Sequence, residues 1–456
     1  MPPSAPGTPA TSVRLASGLS SNPQSVPAAE HACEQVVAGL EREHADLAFL
    51  FFSPHHAPQA GQVAAIVRER LRPRCLVGLC VESVIGGAVE LERTPGLSIL
   101  AAHLPGVDLT TFTHDQIVPP DEESPEALAA MGLAMGAGPR HRATFFFADP
   151  FSVPMVKLLP AMNKALRGVP GPGSPPTSND LSAQLPRPAG PVLVGGMASG
   201  ARSPGGNVLI LNDKLMRSGA VGVSLSGKVR IDAVVSQGCR AFGPTSIVTR
   251  ARGNVIFELG GKSSPDAVRE AIEQLGDRAR GILKEGLFVG VVINEYKDRF
   301  GRDDFLIRNV VGLDATNGGI AVADLVRVGQ TIRFHHRDRE TASQDLSLLL
   351  DAQQLHQRPA GCLLITCNGR GQRLFGQPHH DAAAVTRAFA PQAPGEDLAK
   401  IGREMGAPSA GDAAPGASGV GSLPLAGFFA AGEIGPVGGQ SFLHGHTACV
   451  VLFRNE

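Results

Sequence analysis

The feature that most limits how this chain can fold is an order of elements that occurs three times. In each case a buried apolar strand, a helix and a second buried strand are followed by a Gly-Gly pair and further strands, and the first strands cover residues 46–53, 144–148 and 362–367. Strand, helix and strand in this order predict a parallel βαβ unit. The recurrence favours internal duplication. The alternative is chance, because βαβ units are common and the chain contains 55 Gly.

Between the second and third units, several short strands precede a helix predicted over residues 264–275. The strands are spaced as in a β-sandwich, and the helix has Ser264 at its N-cap position and Pro265 at its first position. The end of this helix marks a change of lobe. The whole pattern predicts an α/β (mixed α+β) protein with two lobes, in which layered mixed β-sheets are flanked by helices and repeated βαβ-β units form the framework.

Composition and charge exclude several classes of protein. The 456 residues include 41 basic and 42 acidic side chains, and the basic residues are dispersed, so no nucleic-acid-binding surface is expected. No continuous apolar segment suits a signal peptide or a membrane span, and no membrane contact is expected. Seven Cys, most of them in apolar runs, indicate reduced thiols and a cytoplasmic location.

Two regions differ from the rest of the chain because Pro, Gly, Ala and Ser dominate them. Residues 1–29 are predicted to form a disordered tail, since they contain too little apolar surface to offset the cost of ordering. Residues 391–422 are predicted to be a low-complexity insertion. Neither region is expected to contribute to the core.

The stretch from Leu423 to Phe453 contains two apolar strands on either side of a glycine-rich loop. Gly and Pro at this density allow a backbone to turn sharply and to approach a ligand closely, and Glu433 is the only acidic residue between the strands. One interpretation is a loop that binds a ligand. The alternative is a tight hairpin in which Glu433 accepts hydrogen bonds from the amides of the turn.

A second loop begins where a buried strand ends at Cys367. It differs from the dinucleotide-binding pattern G-x-G-x-x-G because Leu374 occupies the third Gly position, and no cofactor is expected. The amides of Gly369 and Gly371, with Arg370 between them, predict a small site for an anion such as a carboxylate. The alternative is a loop that an arginine side chain merely stabilises.

Two histidines and one cysteine suggest further chemistry. His444 and His446 lie two residues apart in a strand, so their side chains point to one face, but no third ligand has suitable spacing and no metal is expected. Buried, hydrogen-bonded histidines are the simpler interpretation. For catalysis, Cys367 would be the nucleophile, with His446 as base and Glu433 to orient it. Against this, free cysteines on core strands are usually unreactive.

Several runs, in their order along the chain, resemble the FIST domain, a bacterial sensory module that is also fused to an F-box in eukaryotes. They are GAVGVSLSG, VSQGCRAFGP, FELGGK, FLIRNVVGLD, CNGRGQRLFG and GFFAAGEIGPVGGQSFLHGHTACVVLF. The resemblance covers nearly everything from Asp46 to Phe453. It implies a FIST N-terminal domain over residues 30–245 and a FIST C-terminal domain over residues 246–456. One departure is the segment Gly78 to Ser83, where the family often has Gly-Cys-Ser-x-x-Gly.

The resemblance implies a module that binds small ligands such as amino acids. An amino acid carries a carboxylate, which Arg370 and the adjacent amides suit, and an amine, which Glu433 suits. Because each loop follows a strand of the same βαβ unit, we expect the two loops to be neighbours. The predicted ligand-binding set comprises Asn368, Gly369, Arg370, Gly371, Glu433, Gly435, Gly439, His444 and His446.

No kinase, cyclase, receiver or F-box segment is recognisable, so a separate signalling protein is the expected partner. One alternative is a Cys-dependent amidohydrolase or transferase that uses Cys367 and His446. Another is a protein-interaction scaffold in which the glycine loops are only structural. Convergence of Cys367, Arg370, Glu433 and His446 on one enclosed site would favour a ligand or an enzyme, and their dispersal would favour a scaffold.

Overall fold

Three mixed sheets of six strands each and one closed barrel hold the strands of this protein together. The computed structural model describes residues 12–42, 44–117, 124–167, 191–275, 286–314, 318–391 and 422–456. Helices cover the outer faces of the sheets. The predicted mixed α+β class, with layered mixed sheets flanked by helices, is confirmed.

The first part of the chain forms the first βαβ unit and the strands around it. The strand LAFLFF is buried at every position, as expected for a parallel strand covered on both faces. The elements are β1 (Arg14–Ser20), α1 (Ser25–Leu40), β2 (Leu47–Phe52), a 3-10 helix (Pro54–Gln59), α2 (Ala60–Leu71), β3 (Cys75–Cys80), β4 (Val84–Gly86), β5 (Val89–Leu91), β6 (Leu97–His103), β7 (Val107–Thr113) and a 3-10 helix (His114–Gln116).

The second part repeats this order. Its helix α3 begins after Ser124, whose side chain accepts a hydrogen bond from the Ala127 amide as an N-cap. The elements are α3 (Pro125–Ala134), β8 (His141–Ala148), α4 (Met155–Arg167), β9 (Val192–Met197), β10 (Leu209–Leu211), β11 (Lys214–Met216), β12 (Ala220–Gly227) and β13 (Arg230–Ser236).

The middle of the chain forms a barrel with one helix. Six strands close on themselves because β14 pairs with both β20 and β15, and apolar side chains fill the interior. The elements are β14 (Cys239–Arg252), β15 (Val255–Leu259), β16 (Lys262–Ser263), α5 (Ser264–Glu273), β17 (Leu287–Val292), a 3-10 helix (Arg302–Asp304), β18 (Phe305–Asp314), β19 (Gly319–Val322) and β20 (Thr331–Arg337).

The last part forms the third βαβ unit. Asp338 caps the long helix α6 by accepting a hydrogen bond from the Thr341 amide. The elements are α6 (Arg339–Gln354), β21 (Gly361–Cys367), α7 (Gln372–Phe375), α8 (His380–Ala388), β22 (Leu425–Ala430), β23 (Glu433–Val437), β24 (Gln440–His444) and β25 (Ala448–Arg454).

The three units form a cycle, because each one adds its hairpin to the sheet of another. Within each unit the first two strands are parallel: β2 with β3, β8 with β9, and β21 with β22. The next hairpin leaves that sheet, so that β4 pairs with β22, β10 with β3, and β23 with β9. The last strand returns antiparallel to the first: β6 on β2, β12 on β8, and β25 on β21. The predicted repeat of βαβ-β units is confirmed.

The resulting sheets have equivalent strand orders. The first sheet is β1-β6-β2-β3-β10-β11, the second is β24-β23-β9-β8-β12-β7, and the third is β13-β25-β21-β22-β4-β5. Their inner faces meet in one common core, where rings from different sheets touch. Phe428 lies 4.6 Å from Phe51 and 5.9 Å from Phe147 between ring centroids, and Phe145 lies 5.6 Å from Phe453. No sheet could bury its inner face without the other two.

The outer faces are covered by helices from the same units. α1 and α2 pack on the first sheet, α3 and α4 on the second, and α6 and α8 on the third. None of the helices within the described ranges is both long and apolar enough to cross a membrane. The helices therefore serve as outer layers of the three sheets.

Residues 12–29 correct one prediction. The expected disordered tail over residues 1–29 is wrong for this part, because β1 pairs with β6 along its whole length and α1 begins at Ser25. Val13 and Leu15 are buried in the common core. The strand contains few apolar residues between small and polar ones, and its burial depends on a partner strand about 80 residues away, so a local pattern does not reveal it. Residues 1–11 lie outside the described residues, as do residues 392–421 of the predicted insertion.

The two lobes do not follow the order of the chain. The three sheets form one lobe from the first and last parts, while the barrel between them forms the other. The predicted domain boundary between residues 245 and 246 falls inside β14. The sheet of the third unit includes β4 and β5 from the first part of the chain and β13 from the second. The third unit is therefore in the same lobe as the first two.

The common core makes Phe428 a critical packing residue. Its replacement by alanine should cost about 3–5 kcal/mol, because the cavity would open between all three sheets. Chemical denaturation with circular dichroism would measure this loss as a lower midpoint of a single transition. The matched control is Phe151→Ala: Phe151 is 42% exposed, and its loss should cost less than about 1 kcal/mol. Equal effects of the two substitutions would contradict a shared core.

Candidate functional site

The loop after β21 is a tight turn anchored by its own backbone. The Arg370 amide donates to the Cys367 carbonyl at 2.8 Å, and the Gly369 amide donates to the Cys367 Sγ at 3.3 Å. Gly371 has a φ of +61°, a left-handed conformation that glycine adopts without strain. The turn thus directs the Arg370 side chain into the protein, where it is fully buried.

Arg370 forms a buried, bidentate ion pair with Asp381 of α8. Its Nε donates to Oδ2 at 2.6 Å and its Nη2 donates to Oδ1 at 2.8 Å, and the guanidinium lies 5.2 Å from the centre of the Phe375 ring. Burial alone would raise the pKa of Asp381, but the charge and hydrogen bonds of Arg370 lower it below its usual range. Among the described residues, Nη1 is the one nitrogen of this guanidinium without a partner. The fork predicted for a ligand is therefore mostly used by a residue of the chain itself.

The predicted anion site at Gly371 also contains an acid from the chain. The Gln372 amide donates to Oε1 of Glu92 at 2.9 Å, and a Cβ atom added to Gly371 would lie 2.6 Å from the same oxygen. Glu92 follows the hairpin β4–β5, which the first unit contributes to the third sheet. A carboxylate thus occupies this nest, as the chemistry of the loop predicted, but it is internal.

Glu433 begins β23 and is fully buried beside the turn that follows β24. Its Oε2 accepts hydrogen bonds from the Thr447 amide at 3.1 Å and the Thr447 hydroxyl at 2.9 Å, while Oε1 has no partner. Burial raises the pKa of Glu433 to about 8, although these bonds and the charges of Arg337 and Arg370 oppose the shift. Glu433 therefore holds a proton near neutral pH.

Arg337 at the end of β20 is a buried member of the site that no sequence pattern indicated. Its Nη1 donates to Nδ1 of His446 at 2.7 Å, whereas Nε and Nη2 have no partner. Its charge acts on Cys367, Glu433, Arg370 and His446, which places these groups close together. A buried guanidinium with two unpaired nitrogens is rare, because each lost hydrogen bond costs stability.

The contact with Arg337 fixes the state of the His446 ring. A guanidinium can only donate, so Nδ1 accepts and the proton resides on Nε2, which faces the Asn309 side-chain amide at 3.0 Å. The Asn309 atom at this distance is Nδ2, itself a donor, so the amide must be flipped, with Oδ1 toward the ring, to accept the hydrogen bond from Nε2. Burial and the charges of Arg337 and Arg370 lower the pKa of His446 to about 4. His446 is therefore neutral, and its only basic nitrogen is occupied.

Cys367 lies beside these groups but does not form an activated thiolate. Burial and the charge of Glu433 raise the pKa of its thiol to about 12, against the smaller effects of the Gly369 and His446 amides and of Arg337. A catalytic cysteine needs the opposite shift. With Nδ1 of His446 held by Arg337, the predicted cysteine–histidine arrangement has no free base.

The remaining predicted residues follow the hairpin β23–β24. His444 lies opposite Glu433, and its Nε2 donates to the Gly435 carbonyl at 2.9 Å, as expected for a buried structural histidine. A Cβ atom on Gly435 would lie 2.5 Å from Val235, so close packing explains this glycine. Gly439 forms the far turn with a φ of +80°. The structure therefore does not place Gly439 with the cluster around Glu433.

The two predicted loops do meet. The Asn368 amide donates to the Ala430 carbonyl at 3.0 Å, and the charge of Arg370 acts on Glu433, so both loops lie at the carboxyl end of the parallel pair β21 and β22. The predicted neighbourhood of the loops is confirmed. We call this group the polar cluster: Arg337, Cys367, Asn368, Arg370, Glu433 and His446.

Five buried atoms of the polar cluster have no hydrogen-bond partner within the described part of the chain. Three are donors of the two arginines, and two are acceptors, counting Glu433 as its carboxylate. They are Nε and Nη2 of Arg337, Nη1 of Arg370, Oδ1 of Asn368 and Oε1 of Glu433. Among the described residues, no group of three or more His, Cys, Asp or Glu side chains is arranged to hold a metal. The cluster instead offers donors to an anion and acceptors to a cation.

The raised pKa of Glu433 makes stability depend on pH. Because its folded pKa of about 8 exceeds the unfolded value of about 4.5, its contribution is complete below pH 4.5 and is lost as pH rises toward 8. Glu433→Gln imitates the protonated form and should remove this loss, at about 1.4 kcal/mol for each unit of pKa difference. Thermal melts from pH 5 to 9 should therefore favour the variant increasingly as pH rises. The control is Glu69→Gln, because Glu69 is exposed. If stability changed with pH in the same way in the wild type and in Glu433→Gln, Glu433 would not be the group responsible.

Comparison with known proteins agrees with the resemblance described above. The FIST N domain profile matches residues 46–262 and the FIST C domain profile matches residues 266–436. An uncharacterized protein of Mycobacterium tuberculosis is 33% identical over 447 residues, which cover 97% of this chain and 100% of the relative. An uncharacterized protein of Mycobacterium bovis is 33% identical over 446 residues, with the same coverage. The chain therefore belongs to the FIST family and contains both its FIST N and its FIST C domain.

Proposed function

We propose that this chain is a sensory protein that binds a small zwitterionic ligand, such as an amino acid, at the polar cluster. FIST domains are associated with sensory roles in signal transduction. We further propose that it acts in the cytoplasm and passes its signal to a separate protein. All seven cysteines are free, which suits a reducing compartment.

The observation that carries this proposal is the set of five unpaired buried atoms. Native proteins pair nearly all buried polar groups, and the exceptions often mark a site that a ligand or an ordered water completes. Arg370 and Asp381 cancel each other in charge, and Glu433 is neutral when protonated, so Arg337 contributes an uncompensated positive charge. Such a charge inside a protein is costly unless a partner neutralises it.

A zwitterion would satisfy both halves of the cluster. Its carboxylate would accept from Nε and Nη2 of Arg337, the planar fork that guanidinium groups offer to carboxylates, with Nη1 of Arg370 beside it. Its ammonium group would donate to Oε1 of Glu433 and Oδ1 of Asn368. Binding would ionise Glu433. The ammonium group of the ligand would then pair with the Glu433 carboxylate, and its carboxylate would pair with the Arg337 guanidinium.

The alternative functions explain less of this geometry. A cysteine-dependent enzyme would need a thiolate at Cys367, yet the pKa of this thiol is raised to about 12 and His446 has no free base. A scaffold with purely structural glycines would leave the unpaired atoms of Arg337 and Glu433 without a purpose.

A thermal-shift screen of amino acids tests the proposed site. A ligand at 100 times its dissociation constant should stabilise the wild type by about 2.7 kcal/mol. Arg337→Lys keeps the charge but loses the fork, and should weaken binding by about 2 kcal/mol, the scale of a charge-assisted hydrogen bond. The control is Arg339→Lys, because Arg339 is exposed two residues further along. Amino-acid amides and N-acetyl amino acids, which each lack one charge, should not stabilise the protein.

Three results would contradict the proposal. The first is stabilisation by an amino acid that Arg337→Lys and Glu433→Gln leave unchanged. The second is binding of the amides as strongly as the parent amino acids. The third is turnover of an amide or ester that Cys367→Ala abolishes, which would support the enzyme alternative instead.

Binding should also release a proton. In the free protein Glu433 is protonated below its pKa of about 8, and the ammonium group of the ligand would displace that proton. Isothermal titration in buffers of different ionisation enthalpy should detect close to one proton released per ligand at pH 7. Affinity should rise about tenfold from pH 6 to pH 7. Glu433→Gln should bind weakly at every pH and release no proton, whereas proton release that persists in this variant would assign it to another group.

A further inference from the structure

A second site lies on the outer face of the barrel, beside the polar cluster. A cavity of about 390 Å³ separates the outer face of the barrel from α6. Its lining includes strands β14 and β20, the segment around Phe300 and one face of α6. The volume is at the low end for small-molecule sites, which suits a small metabolite better than a peptide or dinucleotide.

The walls of this cavity are positively charged. Arg240, Arg302 and Arg333 line it, and no acidic residue is among the lining residues. Arg302 pairs with Asp345 at 2.9 Å. Arg333 donates from Nε to the Gly243 carbonyl at 2.9 Å, and within the described part of the chain no carboxylate contacts Arg333 or Arg240. The Arg240 side chain shares its face of β14 with Phe242 rather than with Cys239, so Arg333 is the guanidinium available to an anion in the cavity, with Arg302 beside it.

The same cavity has an apolar side. Phe300 and Phe305 pack edge to face with ring centroids 6.0 Å apart, and His335 packs against Phe305 at 5.2 Å. Leu348 of α6 lines the cavity from the opposite direction and is 61% exposed. An exposed leucine facing two aromatic rings across a cavity offers a surface for an apolar group. Charge and apolar surface together describe an amphiphilic ligand.

The cavity and the polar cluster are neighbours at the start of β14 and the end of β20. Cys239 lines the cavity, while a Cβ atom on the preceding Gly238 would lie 3.3 Å from Nη1 of Arg370. Along β20, His335 lines the cavity and Arg337 belongs to the cluster. The two sites share a wall but present different groups.

We propose that this cavity binds a small organic anion, in which a phosphate or carboxylate group is attached to an aromatic or similarly apolar body. Arg333 binds the anionic group, with Arg302 beside it, since guanidinium groups match the oxygen geometry of both phosphate and carboxylate. Phe300, Phe305 and Leu348 enclose the body. This ligand differs in class from the zwitterion proposed for the polar cluster, because the cavity lining offers no carboxylate to an amine.

Titration with defined probes tests this proposal. Phenyl phosphate and benzoate carry both features, inorganic phosphate carries only the charge, and benzyl alcohol carries only the ring. Calorimetry should show phenyl phosphate or benzoate binding at least tenfold more tightly than inorganic phosphate and benzyl alcohol. The stronger of the two identifies the anionic group that the site prefers. Equal, weak binding of all four would overturn the proposal.

Variants locate the binding in the cavity. Arg333→Gln should weaken binding of the better probe about tenfold, because one charge-assisted contact is lost. The control is Arg252→Gln, since Arg252 is an exposed barrel residue that does not line the cavity. Leu348→Ala should weaken phenyl phosphate without changing inorganic phosphate. If Arg333→Gln and Arg252→Gln weakened binding equally, the effect would come from the net charge of the protein, and the assignment to the cavity would be wrong.

Glu433→Gln separates this proposal from the preceding one. It alters the polar cluster and leaves the cavity lining unchanged, so it should bind phenyl phosphate and benzoate as the wild type does. If Glu433→Gln removed probe binding while Arg333→Gln did not, the anion would occupy the polar cluster and the cavity assignment would be wrong.

Discussion

The burial of three sheet faces in one core is the constraint on which the rest of the structure depends. Each inner face is apolar from end to end, and the rings of Phe51, Phe147 and Phe428 touch across the junction of all three sheets. One or two units would leave such a face in water. The exchange of hairpins then ties each sheet to another unit, so the cycle closes only when the third unit is present. The barrel strands lie outside this cycle, whereas the three units cannot be separated.

The polar cluster includes the residue that follows the first strand of the third unit. In the other two units the residue at this position has a structural role. The residue after the first strand of the second unit is Asp149, which is buried but fully satisfied by Ser152 at 2.6 Å and Asn207 at 2.8 Å. In the first unit this place belongs to Ser53, whose hydroxyl accepts from the Gly96 amide. In the third unit the same strand end is followed by Asn368, next to the unpaired atoms of Arg337 and Glu433. The barrel supplies Arg337 and Asn309, so the proposed site arises where the barrel contacts the third unit.

Local patterns predicted the parts of this molecule that depend on neighbouring residues. The three βαβ units follow from strand and helix periodicity, and the meeting of the two loops follows from the rule that parallel strands end at one sheet edge. The partners of those loops could not be predicted, because they come from distant parts of the chain. Glu92 reaches the Gly371 loop from the first unit, and Arg337 reaches His446 from the barrel. Strand β1 could not be predicted for the same reason, because its few apolar residues are buried only by the sheet that it joins.

The exchanged hairpins have a consequence for synthesis of the protein on the ribosome. Strand β4 ends at Gly86, whereas its partner β22 begins at Leu425, about 340 residues later. At roughly 5–20 residues per second, the first hairpin waits about 20–70 s for the strand that completes its sheet. During that interval the apolar faces of the nascent chain have no permanent cover. Protection by a chaperone, or transient pairing between the incomplete units, would decide how much of the newly made protein escapes aggregation.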